Sequence, residues 1–508
     1  MTINNFMGGM NNRLAPQLLQ DSAAQYLENS DLSTGVLKSI KELKSIDKAT
    51  DDVIVYNYGK YVFFKKGTVV TTIGNIIYST NSNGCIQKTF EDGKQYNLII
   101  EGPKAAIEVE ANTTAGEITG NNIKYCYTYY GAKDGSESAP SPFSANIVIG
   151  NGTTDKGQVT LKAILASGDP QVTHIRIYRI GHTLTSYSLV ATLPNQNSNI
   201  VDQSDDSSAT IKLSTYGFNL TSDKTSGPYN TTYIANYGGS LFVASNNNNN
   251  KVYYSQAGRP DLWGEGYILL DEEVIAISPV SVGLIVACKT KTYILYGDVG
   301  NFSKQLLLPS VGCSGNSMLP TAIGVIWFYK DTIWNFYQAV TELSRLKFKV
   351  DGEVISACAT EQCAYFLLDT GKILVINYAL NLSMYLYDAK GIKSITIGNG
   401  ELLLCDGKNV YTFSGSDSTM QYISKHYVDG GVTLYKNYKT IYVYTIGEFD
   451  METYINDNLV ATTKLKNGLT EVKVDQTKRT GYYLWFKITV KGVIQEIQWI
   501  CERRQNGR

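Results

Sequence analysis

Histidine is almost missing from this chain: His174, His182 and His426 are the only three in 508 residues. General-base chemistry and histidine-rich metal centres therefore have little to draw on. His174 alternates with Ile175 and Ile177 in THIRIYRI, the period of a strand, and His182 follows Gly181 in a turn. Cysteine occurs at 85, 126, 288, 313, 358, 363, 405 and 501, but never as a CxxC pair. Cys358 and Cys363 lack a second close pair and a neighbouring histidine, which argues against zinc. Several cysteines lie in apolar runs such as LIVACKT and ELLLCDG, the pattern of reduced, buried thiols. The expectation is folding in a cytosol.

Long apolar runs are missing as well. The longest, Val274 to Cys288, is shorter than the roughly 18 residues of a membrane helix, and Pro279 interrupts it. No membrane segment is expected. The opening MTINNFMGGMNNRLAPQLLQ has no basic stretch followed by the apolar core of a secretory leader. Charge of either sign is low: 18% of residues are charged and the formal net charge is −1. Nothing global draws this surface to nucleic acid or to an acidic membrane. The H-E-x-x-H, G-x-S-x-G, Walker and G-x-G-x-x-G phrases do not occur. The reading is a non-enzyme with no catalytic, cofactor or metal residues.

What is present points to strands. Tyrosine (37) and glycine (45) stand out; Tyr, Thr, Val and Ile favour strands, while Gly and Asn punctuate turns. The length suits about three domains at roughly 100–200 residues each. Residues 1–50 read as an extended lead-in. In residues 51–107, VIVYNYGKYVFFKKGTVVTTIGNIIYST gives three strand-length runs with tight turns, an antiparallel meander. Residues 108–215 carry strands at the spacing of a small β-sandwich, without the Cys…Trp…Cys set of antibody domains. A fibronectin-like insert is expected.

Residues 216–430 contain a repeat. Apolar runs begin near Gly239, Gly283, Gly324, Ala364 and Gly400. Each is followed by a polar turn and then by an aromatic or β-branched strand: KVYYS, TYILYG, IWNFYQ, KILVINY, NVYTFSG. Spacing of this order marks β-propeller blades. KYVFFKKGTVVTTI has the same shape and is read as the blade that closes a ring of about six. Residues 431–508 read as a C-terminal β-sandwich. The fold class is thus all-β: a propeller with two added sandwiches. Within it, Asn246–Asn250 is read as an exposed hairpin tip. Arg259-Pro260-Asp261-Leu262-Trp263 is read as the turn that docks one blade on the next, with Trp263 buried.

Three charged clusters deserve a reading of their own. Asp202, Asp205 and Asp206 in VDQSDDSS offer oxygen ligands, but lack the glycine and final glutamate of an EF-hand loop; a solvated linker is expected. Asp271, Glu272 and Glu273 are adjacent, so on a strand they point to opposite faces, unlike a glycosidase pair. Arg345, Lys347 and Lys349 in RLKFKV form one charged strand face.

Four phrases, in this order and spacing, resemble the tail nozzle (tail tubular, or packaged-DNA-stabilising hub) proteins of short-tailed bacteriophages. The opening, Met10-Asn11-Asn12-Arg13 and then Asn29-Ser30-Asp31-Leu32-Ser33-Thr34-Gly35, is similar to theirs. YCYTYYGAKDGSESAPSP followed by VTHIRIYRIG resembles their fibronectin-like insert. KVYYSQAGRPDLW resembles their "Tyr-Ser, small-Gly-x-Pro-x-x-Trp" phrase, and GYYLWFKITVKGVIQEIQWI their C-terminal sandwich. The resemblance covers most of the chain. It implies a homo-oligomeric ring, usually a hexamer, at the distal end of the virion tail, assembled in the host cytoplasm. Its partners would be a tail adaptor and tail needle, plug or fibre proteins. Double-stranded DNA would pass through its lumen without sequence specificity. A conduit should not grip DNA, and affinity for the duplex grows with each phosphate neutralised, so low charge suits that role. Two other classes remain open on the residues: a carbohydrate- or receptor-binding tail protein using exposed aromatics, and a propeller glycosidase using convergent carboxylates.

Overall fold

The computed structural model describes residues 1–508 apart from 81–85, 114, 214–230, 246–247, 299–300, 316, 344–347, 432 and 504–508. Among the described residues, every regular element apart from two short 3-10 turns is a strand. The chain is all-β, of the β-propeller type with additional sheets. Its contacts divide it into two units. One comprises Met1–Gly67, Ile275–Leu295 and Lys304–Arg508, the other Thr68–Val274 and Tyr296–Ser303.

The repeat read from the sequence marks the second strand of five meanders. Ser240–Ser245, Gly283–Cys288, Gly324–Tyr329, Cys363–Leu368 and Glu401–Cys405 are these strands. Three of them, Gly283–Cys288, Gly324–Tyr329 and Cys363–Leu368, are buried almost throughout. An interior strand covered on both faces needs an unbroken apolar run, which is why these five stood out. Each lies within a four-stranded antiparallel sheet or, for Cys363–Leu368, within the four-strand meander that opens a larger sheet.

The meander of residues 394–417 has only three strands of its own, Ser394–Gly398, Glu401–Cys405 and Asn409–Asp417. Its fourth is Lys41–Lys48, which pairs antiparallel with Asn409–Asp417. The strand that completes this sheet is therefore in the lead-in, and not in KYVFFKKGTVVTTI. That phrase is split. Lys60–Phe64 pairs with Val53–Asn57 as a two-stranded hairpin over Leu403, Cys405 and Val410. Val70–Ile73 belongs to a separate four-stranded sheet with Ile76–Thr80, Ile86–Thr89 and Gln95–Asn97. The break falls at Lys65-Lys66-Gly67, where Gly67 takes a left-handed φ of 82° that ends the strand. Counting that sheet, the described residues hold six four-stranded meanders.

The lead-in and the C-terminal region form one sheet. Two long strands, Lys436–Ile455 and Leu484–Arg503, run antiparallel to each other. Thr2–Ile3 and Leu37–Ser39 pair with the second of them. Ala23–Glu28 joins Met420–Ser424 on one side and touches Ser383–Asp388 on the other. Phe6, Leu27, Leu32 and Leu37 thus share one apolar core with Ile441, Phe486, Ile494 and Trp499.

In the other unit, residues 108–202 form two facing sheets. Glu108–Asn112, Gln158–Ile164 and Ser198–Asp202 make one. Ser136–Glu137, Lys124–Gly131, His174–Gly181 and Leu184–Pro194 make the second. Tyr125, Tyr127, Tyr129, Ile175 and Ile177 meet Val159, Leu161 and Ile164 between them. The period-two tyrosines of YCYTYYG supply the apolar layer.

Candidate functional site

The residues that the sequence singles out turn out to be joints. Arg13 donates from Nε to the Phe348 carbonyl at 2.8 Å and from its terminal nitrogen to the Asp331 carbonyl at 2.8 Å. Asn12 clasps Lys349, accepting its N–H at 2.6 Å and donating to its carbonyl at 3.1 Å. Gly9, at φ 66°, lies so close to Met384 that a Cβ would stand 2.8 Å from that residue's backbone. Asn29 adopts φ 56°, which asparagine tolerates better than most residues. Its side chain accepts the Asp388 N–H at 2.7 Å and donates to the Thr419 carbonyl at 3.0 Å. Asp31 accepts the Ser33 N–H at 2.9 Å, Leu32 is fully buried, and Gly35 turns the chain at φ 80°.

The second set of joints lies at residues 256–263. Ala257-Gly258 make the two-residue turn, with Gly258 at φ 71°. Pro260 is tolerated because Arg259–Leu269 is an edge strand. Trp263 is 7% exposed and packs with Ile234, Leu241 and Val243 of its own meander, with Tyr78 and Ile86 of the meander at 70–97, and with Leu98 just after it. Asp261 is held by both ends of the Arg259 guanidinium, at 3.0 and 2.7 Å, and accepts the Glu137 N–H at 3.0 Å. Of the asparagine run, Asn246 and Asn247 fall outside the described residues, and Asn248–Gln256 is already strand.

The acidic cluster at 202–206 is not a solvated linker. Arg179, fully buried, donates to Asp202 at 2.7 Å, to Asp206 at 2.8 Å and to the Ser204 carbonyl at 3.0 Å. Tyr125 adds its hydroxyl to Asp202 at 3.0 Å. Asp202 and Asp206 face inward to a guanidinium because a charge in the sandwich interior needs a partner, while Asp205 is exposed and accepts the Ser207 hydroxyl at 2.8 Å. Burial raises the Asp206 pKa, but hydrogen bonds from Thr183 and His182, together with Arg179, outweigh it and hold the carboxyl below its ordinary value. Arg179 carried no mark in the sequence beyond its place in THIRIYRI, where it pairs across from Tyr125.

His182 stands beside this cluster, with Nδ1 3.1 Å from Asp206. The Thr119 hydroxyl lies 3.2 Å from Nε2 and 3.4 Å from Nδ1. Near-equal distances to both nitrogens place that oxygen off the Nε2 lone-pair axis, so the three do not form a proton relay. His174 is hydrogen-bonded to Thr173 at 2.8 Å at a strand start. His426 stacks on Tyr483, with ring centres 4.5 Å apart and planes 7° from parallel. Burial pushes the Cys358 and Cys363 thiols up. Among the described residues, no three His, Cys, Asp or Glu side chains group as metal ligands. Asp271, Glu272 and Glu273 sit in the bend after Leu269, and not on a strand. Arg345 and Lys347 fall outside the described residues, while Lys349 is exposed.

No family model and no curated protein matches the chain. Among solved structures, one titled "Structure of U3-55K" covers 73% of this chain and 98% of its own, at 9% identity and TM-score 0.31. Another, "Crystal structure of RRP9 WD40 repeats", covers 74% and 98% at the same identity and TM-score 0.31. At that score neither match bears on what the chain does, and the strand pairing carries the fold assignment.

Proposed function

We propose that this chain is a structural virion protein, the subunit of a distal tail nozzle ring through which phage DNA is retained and then ejected. On this reading it docks to a head-to-tail adaptor and to needle or fibre proteins. One observation supports it above the rest: the phrases that carry the resemblance hold the fold's own seams. Arg13 and Asn12 clip the lead-in to residues 331–349. Asn29 ties three strands at a left-handed corner. Trp263 binds one meander to another. Side chains spent on seams suit a rigid building block better than a catalyst, whose polar groups must converge on an open face.

Light scattering and negative-stain imaging of the purified protein, with and without the adaptor ring, test this. Rings of about six copies with a central hole are the outcome expected from closed heterologous association. A monomer that binds glycans or cleaves a glycosidic bond would overturn it. One feature favours glycan binding as the second reading. Phe143, 37% exposed, stacks on Tyr187 at 4.7 Å and 9°, giving a flat aromatic surface. A glycan array with Phe143→Ala as control checks it.

A further inference from the structure

The sandwich of residues 108–202 and the two meanders beside it, 70–97 and 231–269, have separate apolar cores. The cluster around Tyr125, Val159 and Ile175 shares no described residue with the cluster around Tyr78, Leu241 and Trp263. The hydrogen bonds and ion pairs that cross between them gather mostly on one hairpin of the sandwich, residues 133–137. Lys88, fully buried, reaches from its meander to Asp134 at 2.5 Å and to the Ser136 hydroxyl at 2.9 Å. Lys133 reaches back to Asp92 at 3.0 Å and lies 4.2 Å over the Phe90 ring. From the other meander, Asp261 takes the Glu137 N–H. Gln171 adds one bond to the Asn97 carbonyl at 3.2 Å.

A polar joint opens differently from an apolar one. Parting two apolar faces loses burial in proportion to area. Parting a buried ion pair returns both charges to water, and that hydration offsets much of the lost attraction. Geometry favours one seating while closed, because Lys88 has to meet Asp134 and Ser136 together. Both apolar cores stay intact when it opens.

We propose that the sandwich is a latched arm: the hairpin at 133–137 fixes its one orientation, and the sandwich turns as a rigid body when that hairpin lets go. This inference stands apart from the virion reading. Spin labels on the full chain at the exposed positions Gln95 and Thr192 report the joint, and labels at Glu108 and Thr192 report the sandwich itself. The wild type gives one narrow distance for both pairs. In Lys88→Met/Asp134→Asn/Arg259→Met/Asp261→Asn, which removes both partners of the Lys88–Asp134 and Arg259–Asp261 pairs, the joint distance broadens at least twofold while the sandwich distance keeps its width. A joint distance that stays narrow overturns the proposal. Broadening of both pairs overturns it too, since the hairpin would then belong to the sandwich core. Asp261→Ala alone, which removes the acceptor of the Glu137 N–H, tests the same point with less risk to folding, and should give the smaller broadening of the joint pair only.

Discussion

Ser141 lies opposite Tyr127 and takes the place of a neighbouring strand. Its hydroxyl accepts the Tyr127 N–H at 3.1 Å, and its own N–H donates to the Tyr127 carbonyl at 2.8 Å. Ser138 does the same for Tyr129 and Ser144 for Tyr125. The serines recur every third residue, the tyrosines every second. A three-residue period with prolines at 140 and 142 is that of an extended polyproline-type segment. It covers the edge of Lys124–Gly131 without being a strand, and the prolines keep other chains from pairing there.

Ser141→Ala leaves the buried Tyr127 N–H without its acceptor, which costs roughly 1–3 kcal/mol. Ser141→Thr keeps the oxygen and should recover most of the loss. Urea denaturation followed by tyrosine fluorescence measures both.

Arg179→Met strands Asp202 and Asp206 in the sandwich without their cation. Removing one partner of such a group costs about 3–5 kcal/mol, so the variant should unfold at markedly lower urea. Because the carboxylates are already neutralised, millimolar calcium should leave the wild-type melting temperature unchanged.

Gly9→Ala forces a side chain onto a left-handed backbone and against the Met384 backbone. Strain of roughly 1–3 kcal/mol is expected. Amide hydrogen exchange should show faster opening of Thr2–Ile3 and Ala23–Glu28 than of the sandwich strands.

His426 makes stability depend on acid. Burial lowers its pKa, with Asp457 opposing in part, and its Nδ1 is buried without an acceptor. A histidine whose folded pKa is depressed favours the folded state while neutral. Its contribution is full above the unfolded value of about 6.5 and is lost as pH falls from there toward the lowered folded value. The urea midpoint should therefore drop more between pH 7.5 and 5 in the wild type than in His426→Phe, which keeps the ring against Tyr483. Equal slopes would exclude His426 as the cause.

The sequence made the second strand of five meanders plain, because GLIVACKT or CAYFLLDT has no exposed face to interrupt its apolar run. First and fourth strands were harder. Lys41–Lys48 is exposed along nearly its whole length, so its composition looks like a loop and only its partner at 409–417 makes it a strand. The acidic cluster was misread for a related reason. Asp202 looks solvated in VDQSDDSS, and its neutralising Arg179 is a neighbour through the sandwich and not along the chain. The seam residues were found through phrases, but their work was not visible there. That Asn29 bridges Asp388 and Thr419 depends on contacts about 360–390 residues apart in the chain. Asn195, Asn197 and Asn199 likewise form a ladder of side-chain oxygens accepting the N–H groups of Ser167, Ala166 and Ala163, about 30 residues away in the chain.

The pairing of Lys48 with Asn409, 361 residues apart, also sets a timetable. During synthesis the strand that finishes the last meander leaves the ribosome among the first, and has no partner until residue 409 follows. At about 5–20 residues per second, it waits on the order of 20–70 seconds as an open edge. Its lysines, with Asp47 and Glu42, make that wait tolerable, since a charged edge resists pairing with other chains.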